Sequence, residues 1–533
     1  MGIPSYFRHI LKKYPTLIKG ADDTKPHTSD ILLVDFNCLI YGCTRSPALP
    51  VYTGTNEKVW EDALLNEIKR YVVKLWKVSG SPKTVLLAVD GVVPMAKIRQ
   101  QRLRRFKSVW LSQKEREAGV RPEHTWDTNA ITPGTYFMER LTHALKELSS
   151  SRGAGWIVSG AEEPGEGEQK LMKWIRSQDE SMIKGKSVTV YGLDADLIVL
   201  SFLHSTMYPS ITLSILRESH EFGKVSTSAE YSVLLIQQLL TIMFPQKVEK
   251  IRYIYDYIAG MTLLGNDFIP HSLGFTIRDS GHDRLIHMLY ELHKKGMFLV
   301  DESQNLIKES LSILLSSLAE TEDVDIKNAF FKKYTMRSPP PRSDSERAML
   351  PVQDLPLEWA EESHMWNSVT KKLNENWADV YYTHETPLSG EQDIHKKCMS
   401  YFTGLQWVIN YYTGKSVSNE WMYPWTYPPL WHDLASASLS SDRLPYPEEA
   451  SKKELKPQEQ LAMVLPYESW GLVRNANLRA LPGNLPCFWI PAKKFHSLGK
   501  RWLWECYPKI PILTKNRLYS HLPSHQSLIK APD

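Results

Sequence analysis

Four short apolar runs break the helix-patterned first half of the chain: Asp30–Asn37 (DILLVDFN), Thr84–Val89, Trp156–Ser159 and Ser187–Leu193. Runs of this length, rich in β-branched and apolar residues, predict strands, the first two of them fully buried. Between and after them, apolar residues recur at three- and four-residue spacing. That spacing predicts helices over Lys58–Val78, through Leu148 after a turn at Thr132–Met138, and over Lys247–Leu263. Strand–helix–strand order predicts an α/β fold with parallel strands whose carboxyl ends share one edge, the edge where open sheets bind ligands. Met1–Tyr14 reads as an amphipathic basic helix begun near Pro4, with Tyr6, Phe7, Ile10 and Leu11 as its apolar stripe, and not as a signal peptide. Residues 111–130 read as a charged loop. The longest apolar stretch, Tyr231–Phe244, is broken by Gln237 and Gln238 and falls short of a membrane span.

The second half has a different texture. Met336–Ala348 (MRSPPPRSDSERA) reads as a linker, 350–434 as helices rich in Trp and Tyr, and Ala435–Pro457 as a polar loop. Gln458–Pro466 reads as a short helix and an aromatic segment follows it. The expected division is an α/β region over 1–336, a linker over 337–349, a helical region over 350–518 and a disordered tail over 519–533.

Composition adds limits. A chain of 533 residues is too long for one ordinary core. The net charge of +4 is too small to argue for a nucleic-acid partner by itself, so that case must rest on where the charges sit. The five cysteines show no C-x-x-C spacing and no ligand-like His neighbours, so neither a zinc site nor a disulfide framework is expected and a reducing compartment is. Eleven of the 17 tryptophans fall between Trp359 and Trp504, which marks the second half as aromatic-packed.

The chemistry gathers at the strand ends. Asp35 and Asp90 close two of the runs. Glu166 and Glu168 lie in a Gly-rich turn before a helix, Asp194 and Asp196 follow the fourth run as DAD, and Asp267 sits between Gly265 and Pro270. Taken singly, each could be a cap or turn residue. Together they need a cation, since like charges about 4 Å apart repel by roughly 4 kcal/mol at an effective dielectric near 20. Hard oxygen ligands suit Mg²⁺ or Mn²⁺, and two such ions can clamp the attacking and leaving oxygens of a phosphoryl displacement. After Asp90, Gly91 permits a turn and Pro94 suits a helix start. On that helix Lys97, Gln101, Arg104 and Arg105 share one face, which fits a phosphate. A solvated basic helix is the plainer alternative.

These residues resemble a known family, the Xrn 5′→3′ exoribonucleases. The resemblance rests on MGIPSYFRHILKKYP, VDFN, AVDGVVPMAKIRQQRLRRFK, NAITPGTYFM, PGEGEQKLM, YGLDADLIVL and LGNDFIPH, in family order. It continues in GLQWVINYYTG, WMYPWTYPP and KPQEQLAMVLP. It implies a PIN/flap-nuclease-like, mostly parallel sheet with flanking helices, followed by a helical second region. It also implies processive, Mg²⁺-dependent degradation of single-stranded 5′-monophosphorylated RNA to nucleoside 5′-monophosphates, with two metal ions and with Mn²⁺ able to substitute. By position, Asp35, Asp90, Glu166, Glu168, Asp194, Asp196 and Asp267 match the family's metal-binding residues, and all seven are intact. Lys97, Gln101, Arg104 and Arg105 match its 5′-phosphate pocket, and the helix around Pro4–Lys13 matches the element that admits only single strands. Trp407 matches a tryptophan that stacks on the terminal base, although its apolar neighbours alone read it as core. Tyr41 stands where the family has a histidine on the other side of that base. The expectation is a compact, monomeric, cytoplasmic member with no membrane association, lacking the long C-terminal extension and of viral or reduced-genome origin. A flap-type DNA nuclease and a catalytically silent RNA-end-binding protein remain the alternatives.

Overall fold

The computed structural model describes residues 2–219, 229–246, 249–336, 340–357, 362–385, 391–448 and 454–522. Its centre is a seven-stranded sheet in the order β1 (Ile18–Ala21), β7 (Tyr231–Leu235), β6 (Thr212–Glu218), β5 (Ser187–Tyr191), β2 (Ile31–Asp35), β3 (Thr84–Ala88) and β4 (Trp156–Ser159). The five strands from β6 to β4 are parallel, whereas β7 and β1 add antiparallel pairs at one edge.

The runs of β2, β3 and β5 become strands covered on both faces, whereas β4, at the sheet edge, leaves Ile157 exposed. Ile31 and Leu33 of β2, with Leu86 and Ala88 of β3, pack into one hydrophobic cluster. Leu32 and Val34, with Val85 and Leu87, pack into another. The first cluster takes in the N-terminal helix (Tyr6–Lys13) and the helices Asp196–Met207 and Lys250–Leu263; the second takes in Glu57–Val78 and Tyr136–Arg152. Each helix closes the sheet face that its own apolar stripe can cover. From β2 the chain steps outward to β3 and β4, then returns to the other side of β2 for β5 and β6. The switch point lies between β2 and β5, where a crevice opens at the carboxyl ends of parallel strands.

Several elements differ from the sequence pattern. β1, β6 and β7 carry no clear strand signature: β1 has four residues, and the run Tyr231–Phe244 splits into β7 and the helix Ile236–Met243. The helix begun at Met95 continues to Glu117, so the first part of the expected 111–130 loop is helical. Its polar residues are solvated on their outer side and cost the helix little. Of the expected linker, 337–339 lie outside the described residues. The rest enters a helix, Asp344–Asp354, whose Ser343 Oγ accepts from Glu346 N. That cap, with two acidic residues in the first turn, starts a helix despite the flanking prolines. The helix Trp431–Ser440 likewise takes the start of the expected polar loop, with Leu434, Ala435 and Ala437 buried. Residues 449–453 of that loop, and 523–533 of the expected tail, lie outside the described residues.

The helical second half is not held at arm's length. Tyr401, Phe402, Leu405, Trp407 and Tyr412, on the helix Glu391–Thr413, belong to the same cluster as β2 and β5. Val93 N donates to Gln460 Oε1 at 2.8 Å and Met95 N to Asn419 O at 2.9 Å. The start of the basic helix is therefore pinned by the second region. Among the described residues, no helix is long and apolar enough to cross a membrane.

Candidate active site

The sheet's switch point supplies the acids. Asp35 ends β2, Asp90 follows β3 by two residues, and Asp194 and Asp196 follow β5. Glu166 and Glu168 come from the start of the helix Gly167–Ser177, which is drawn onto the strand ends because Gly167 N donates to Asp90 Oδ1 at 2.6 Å. A Cβ at Gly167 would lie 2.5 Å from Asp35 Oδ1 and 2.8 Å from Ala88 O, so only glycine allows the approach. Asp267 is aimed inward by a turn in which Asn266 Oδ1 accepts from Phe268 N and Ile269 N. Gly2 closes the cluster from behind: with φ +42, its absent Cβ would fall 2.5 Å from Asp196 Oδ1.

The seven expected carboxylates come together. Six of them line one cavity of about 140 Å³, with Asn37, Tyr41, Lys97, Gln101, Arg104 and Arg105 on its other walls. The seventh, Asp196, groups with Glu168 and Asp194, with one ligand oxygen from each within 4.8 Å of the others. Glu168 Oε1, Glu168 Oε2 and Asp196 Oδ1 are buried without a hydrogen-bond partner. Buried, unpartnered, hard oxygen donors of one charge fit a divalent cation and little else.

The electrostatics agree. Burial, reinforced by the charges of Asp90, Asp194 and Asp196, pushes the Asp35 carboxyl well above the usual range. Burial and the neighbouring Asp196 and Glu166 do the same to Glu168, and burial with Asp194 raises Asp196 to about 7. Without a further cation these groups share protons, and a bound ion would displace them.

Lys97 lines the same cavity as Gln101, Arg104 and Arg105 and already has partners among the acids. Its Nζ is buried, 2.5 Å from Glu166 Oε2 and 2.8 Å from Asp267 Oδ2. Burial alone would lower its pKa, but Asp267, Glu166 and Glu168 raise it well above the ordinary value. Lys97 is the cluster's internal counter-ion. The other phosphate-binding candidates, Gln101, Arg104 and Arg105, line the cavity too, and Arg105 gives Nη1 to Asn129 Oδ1 at 2.7 Å. Arg102, on the opposite side of the helix, is tied to the carbonyls of Met463 and Phe488 and is structural.

Tyr41 lines the cavity together with Arg104 and Arg105. Trp407 does not. It is fully buried, its indole N–H donates to Ser418 O at 2.9 Å, and it packs between Tyr411 and Trp421 with Phe268 edge-on. Its core reading is the correct one, because the helix turns that face toward Phe268 and Trp421. Its neighbour one turn on, Tyr411, reaches the site instead and donates to Glu166 Oε1 at 2.6 Å. Tyr411, Asn37 and Gly2 were not singled out in the sequence. The aromatic spacing of Trp407 and Tyr411 put them on one face, but only packing shows which of them meets the acids.

Residues 1–219 match the family model described as the XRN 5′-3′ exonuclease N-terminus, and 359–529 match that described as the Xrn1 helical domain. The chain belongs to the Xrn family. The human 5′-3′ exoribonuclease 1 is 27% identical over 97% of this chain and 34% of its own length. A 5′-3′ exoribonuclease 2 of Debaryomyces hansenii is 30% identical over 61% of this chain and 38% of its own. That of Gallus gallus is 25% identical over 98% of this chain and 70% of its own. The chain thus spans little more than a third of the first two relatives. Among solved structures, the catalytic core of Rad2 in complex with a DNA substrate covers 76% of this chain at 12% identity, with a TM-score of only 0.30, too low to carry an argument. Xrn membership agrees with the acid cluster, and the cluster's donor set agrees with the divalent-metal use that the family implies.

Proposed function

We propose that this Xrn chain is a processive 5′→3′ exoribonuclease acting on single-stranded RNA with a 5′-monophosphate, with Mg²⁺ as its metal. One observation carries the reading: the acid cluster and the donors Gln101, Arg104 and Arg105 line the same cavity. A terminal phosphate held by those donors would bring the first phosphodiester to the carboxylates, so position selects the bond. Divalent ions bound by the carboxylates, two in this reading, would supply an activated water and stabilise charge on the leaving oxygen.

The chain's own residues do the rest. Lys97 offsets part of the cluster's charge, and Tyr411 fixes the orientation of Glu166. Tyr41 offers a ring face to the terminal base, a contact worth roughly 1–3 kcal/mol. Hydrolysis breaks the bond between phosphorus and the 3′ oxygen, and a nucleoside 5′-monophosphate leaves. The shortened strand again ends in a 5′-monophosphate that suits the same donors, which is the chemical basis for repeated cycles.

The test is a time course with one RNA bearing a 5′-monophosphate, 5′-hydroxyl or 5′-triphosphate, in Mg²⁺ or EDTA, beside Asp90→Ala. Rapid Mg²⁺-dependent loss of the monophosphate form alone, with mononucleotide product, is the expected result. Equal cutting of all three ends would remove the role given to Gln101, Arg104 and Arg105. Binding without cutting would favour an RNA-end-binding protein, and preference for a DNA strand of the same sequence would favour a flap-type nuclease.

A further inference from the structure

Two imidazoles and a carboxylate from opposite ends of the nuclease region converge beside the N-terminal helix. His9 lies on that helix, and His282 and Asp283 lie in the first turn of the helix Gly281–Lys294. His9 Nε2 and His282 Nδ1 stand 3.7 and 3.8 Å from Asp283 Oδ1, and the three atoms all lie within 4.8 Å of one another. Both nitrogens are buried atoms without a hydrogen-bond partner, and His282 is a fully buried residue.

The other nitrogen of His282 explains its orientation. Nε2 lies 2.9 Å from Tyr257 Oη, which lies 2.5 Å from Tyr6 Oη. With Nε2–H donating to Tyr257, the Nδ1 lone pair is turned toward Asp283, an electron-rich atom facing a carboxylate. A hydrogen bond behind a ring nitrogen is the usual support of a metal-bound histidine.

We propose that His9 Nε2, His282 Nδ1 and Asp283 Oδ1 form a binding site for a divalent transition ion of the zinc class, distinct from the acid cluster. Two imidazoles and one carboxylate select such an ion over Mg²⁺. Bonds of 2.0–2.2 Å set tetrahedral ligand separations of about 3.4 Å, so the two spacings to Asp283 Oδ1 close by a few tenths of an ångström, and the two nitrogens draw together from within 4.8 Å. Water takes the fourth position. The Lys13 ammonium now pairs with Asp283, but the side chains of both are roughly half exposed, at 40% and 49%, so it can yield to an entering ion. The ion ties the N-terminal helix to the helix Gly281–Lys294. Because Gly2, just ahead of that N-terminal helix, packs on Asp196, the same tie steadies the rear of the acid cluster. No sequence spacing could reveal it, since its ligands are far apart in the chain.

The test is Co²⁺ titration of the full chain in excess Mg²⁺, which occupies the hard oxygen site. One equivalent should give the visible bands of a four-coordinate N/O site, displaced by Zn²⁺. His9→Gln and Asp283→Asn, at partly exposed positions, should each weaken binding about tenfold or more. Lys13→Gln should tighten it by removing the competing ammonium, and Asp194→Asn should leave it unchanged. Zn²⁺ should raise the melting temperature of the wild-type chain but not of His9→Gln. Absence of the bands overturns the proposal. So does a signal that survives both His9→Gln and Asp283→Asn, or one that disappears in Asp194→Asn.

Discussion

Tyr411 Oη donates to Glu166 Oε1 at 2.6 Å across 245 residues of chain. A tyrosine of the helical region thereby orients a carboxylate of the α/β region, and the acid cluster is incomplete without the second half of the protein. Burial and the nearby Glu166 charge push the phenol well above its ordinary pKa, so it remains a donor throughout the working pH range. Tyr411→Phe should raise the Mg²⁺ concentration for half-maximal activity about tenfold while leaving the fold intact, because Glu166 loses the bond that aims it. A Mg²⁺ titration of activity measures this, and an unchanged midpoint would show that Lys97 alone orients Glu166.

Trp407 is the support of that tyrosine, stacked on it at 5.0 Å between ring centroids. Trp407→Phe should lower the melting temperature by a few degrees, as cavity-forming core substitutions do, with little change in KM for RNA. A raised KM at an unchanged melting temperature would restore the base-stacking role implied by the family resemblance.

Lys97 pairs with two buried acids, Glu166 and Asp267. Removing one partner of a buried pair costs on the order of 3–5 kcal/mol, because the other charge is left uncompensated. In EDTA, Lys97→Met should therefore melt well below the wild type. Added Mg²⁺ should recover more stability in the variant than in the wild type, since the ion supplies the missing charge. Differential scanning fluorimetry with and without Mg²⁺ decides this, and equal Mg²⁺ shifts in the two proteins would count against the counter-ion role.

Gly2 has no room for a side chain against Asp196 and adopts a positive φ of 42°. Gly2→Ala should cut activity about a hundredfold, the order expected when a reacting group is displaced by about 1 Å. Gly42→Ala, whose Cβ would meet nothing within 4 Å, should be silent. Comparable activities for the two variants would show that Asp196 tolerates displacement.

The raised carboxyls of Asp35, Glu168 and Asp196 make stability depend on pH with a definite sign. Their folded pKa values exceed the unfolded values of about 4, so the folded state holds more protons. In EDTA, the stability they contribute is full below about pH 4 and is lost as pH rises through the folded values, about 7 for Asp196. Mg²⁺ requires the deprotonated form, so its stabilising effect should grow over the same range. Melting curves between about pH 5 and 8, with and without Mg²⁺, should diverge as pH rises. Parallel curves would mean that the carboxyls titrate independently of the metal.

Local pattern alone carried a large part of this protein. The runs of β2, β3 and β5 declared themselves by continuous apolar residues, because a strand covered on both faces leaves no room for polar alternation, and β4, an edge strand with Ile157 exposed, by its β-branched residues alone. The acids declared themselves by standing at the ends of those runs, the one edge where a parallel sheet gathers its strand termini. The Xrn motifs could be read for the same reason, being short and contiguous. Tertiary structure alone decided what each charge or ring faces. It set Lys97 between Glu166 and Asp267, and it buried Trp407 so that Tyr411 reaches the cluster. It also brought Gly2 onto Asp196, and His9 onto His282 and Asp283. Those outcomes depend on helix phase and on contacts between segments hundreds of residues apart, and neither is encoded in the spacing of neighbouring residues.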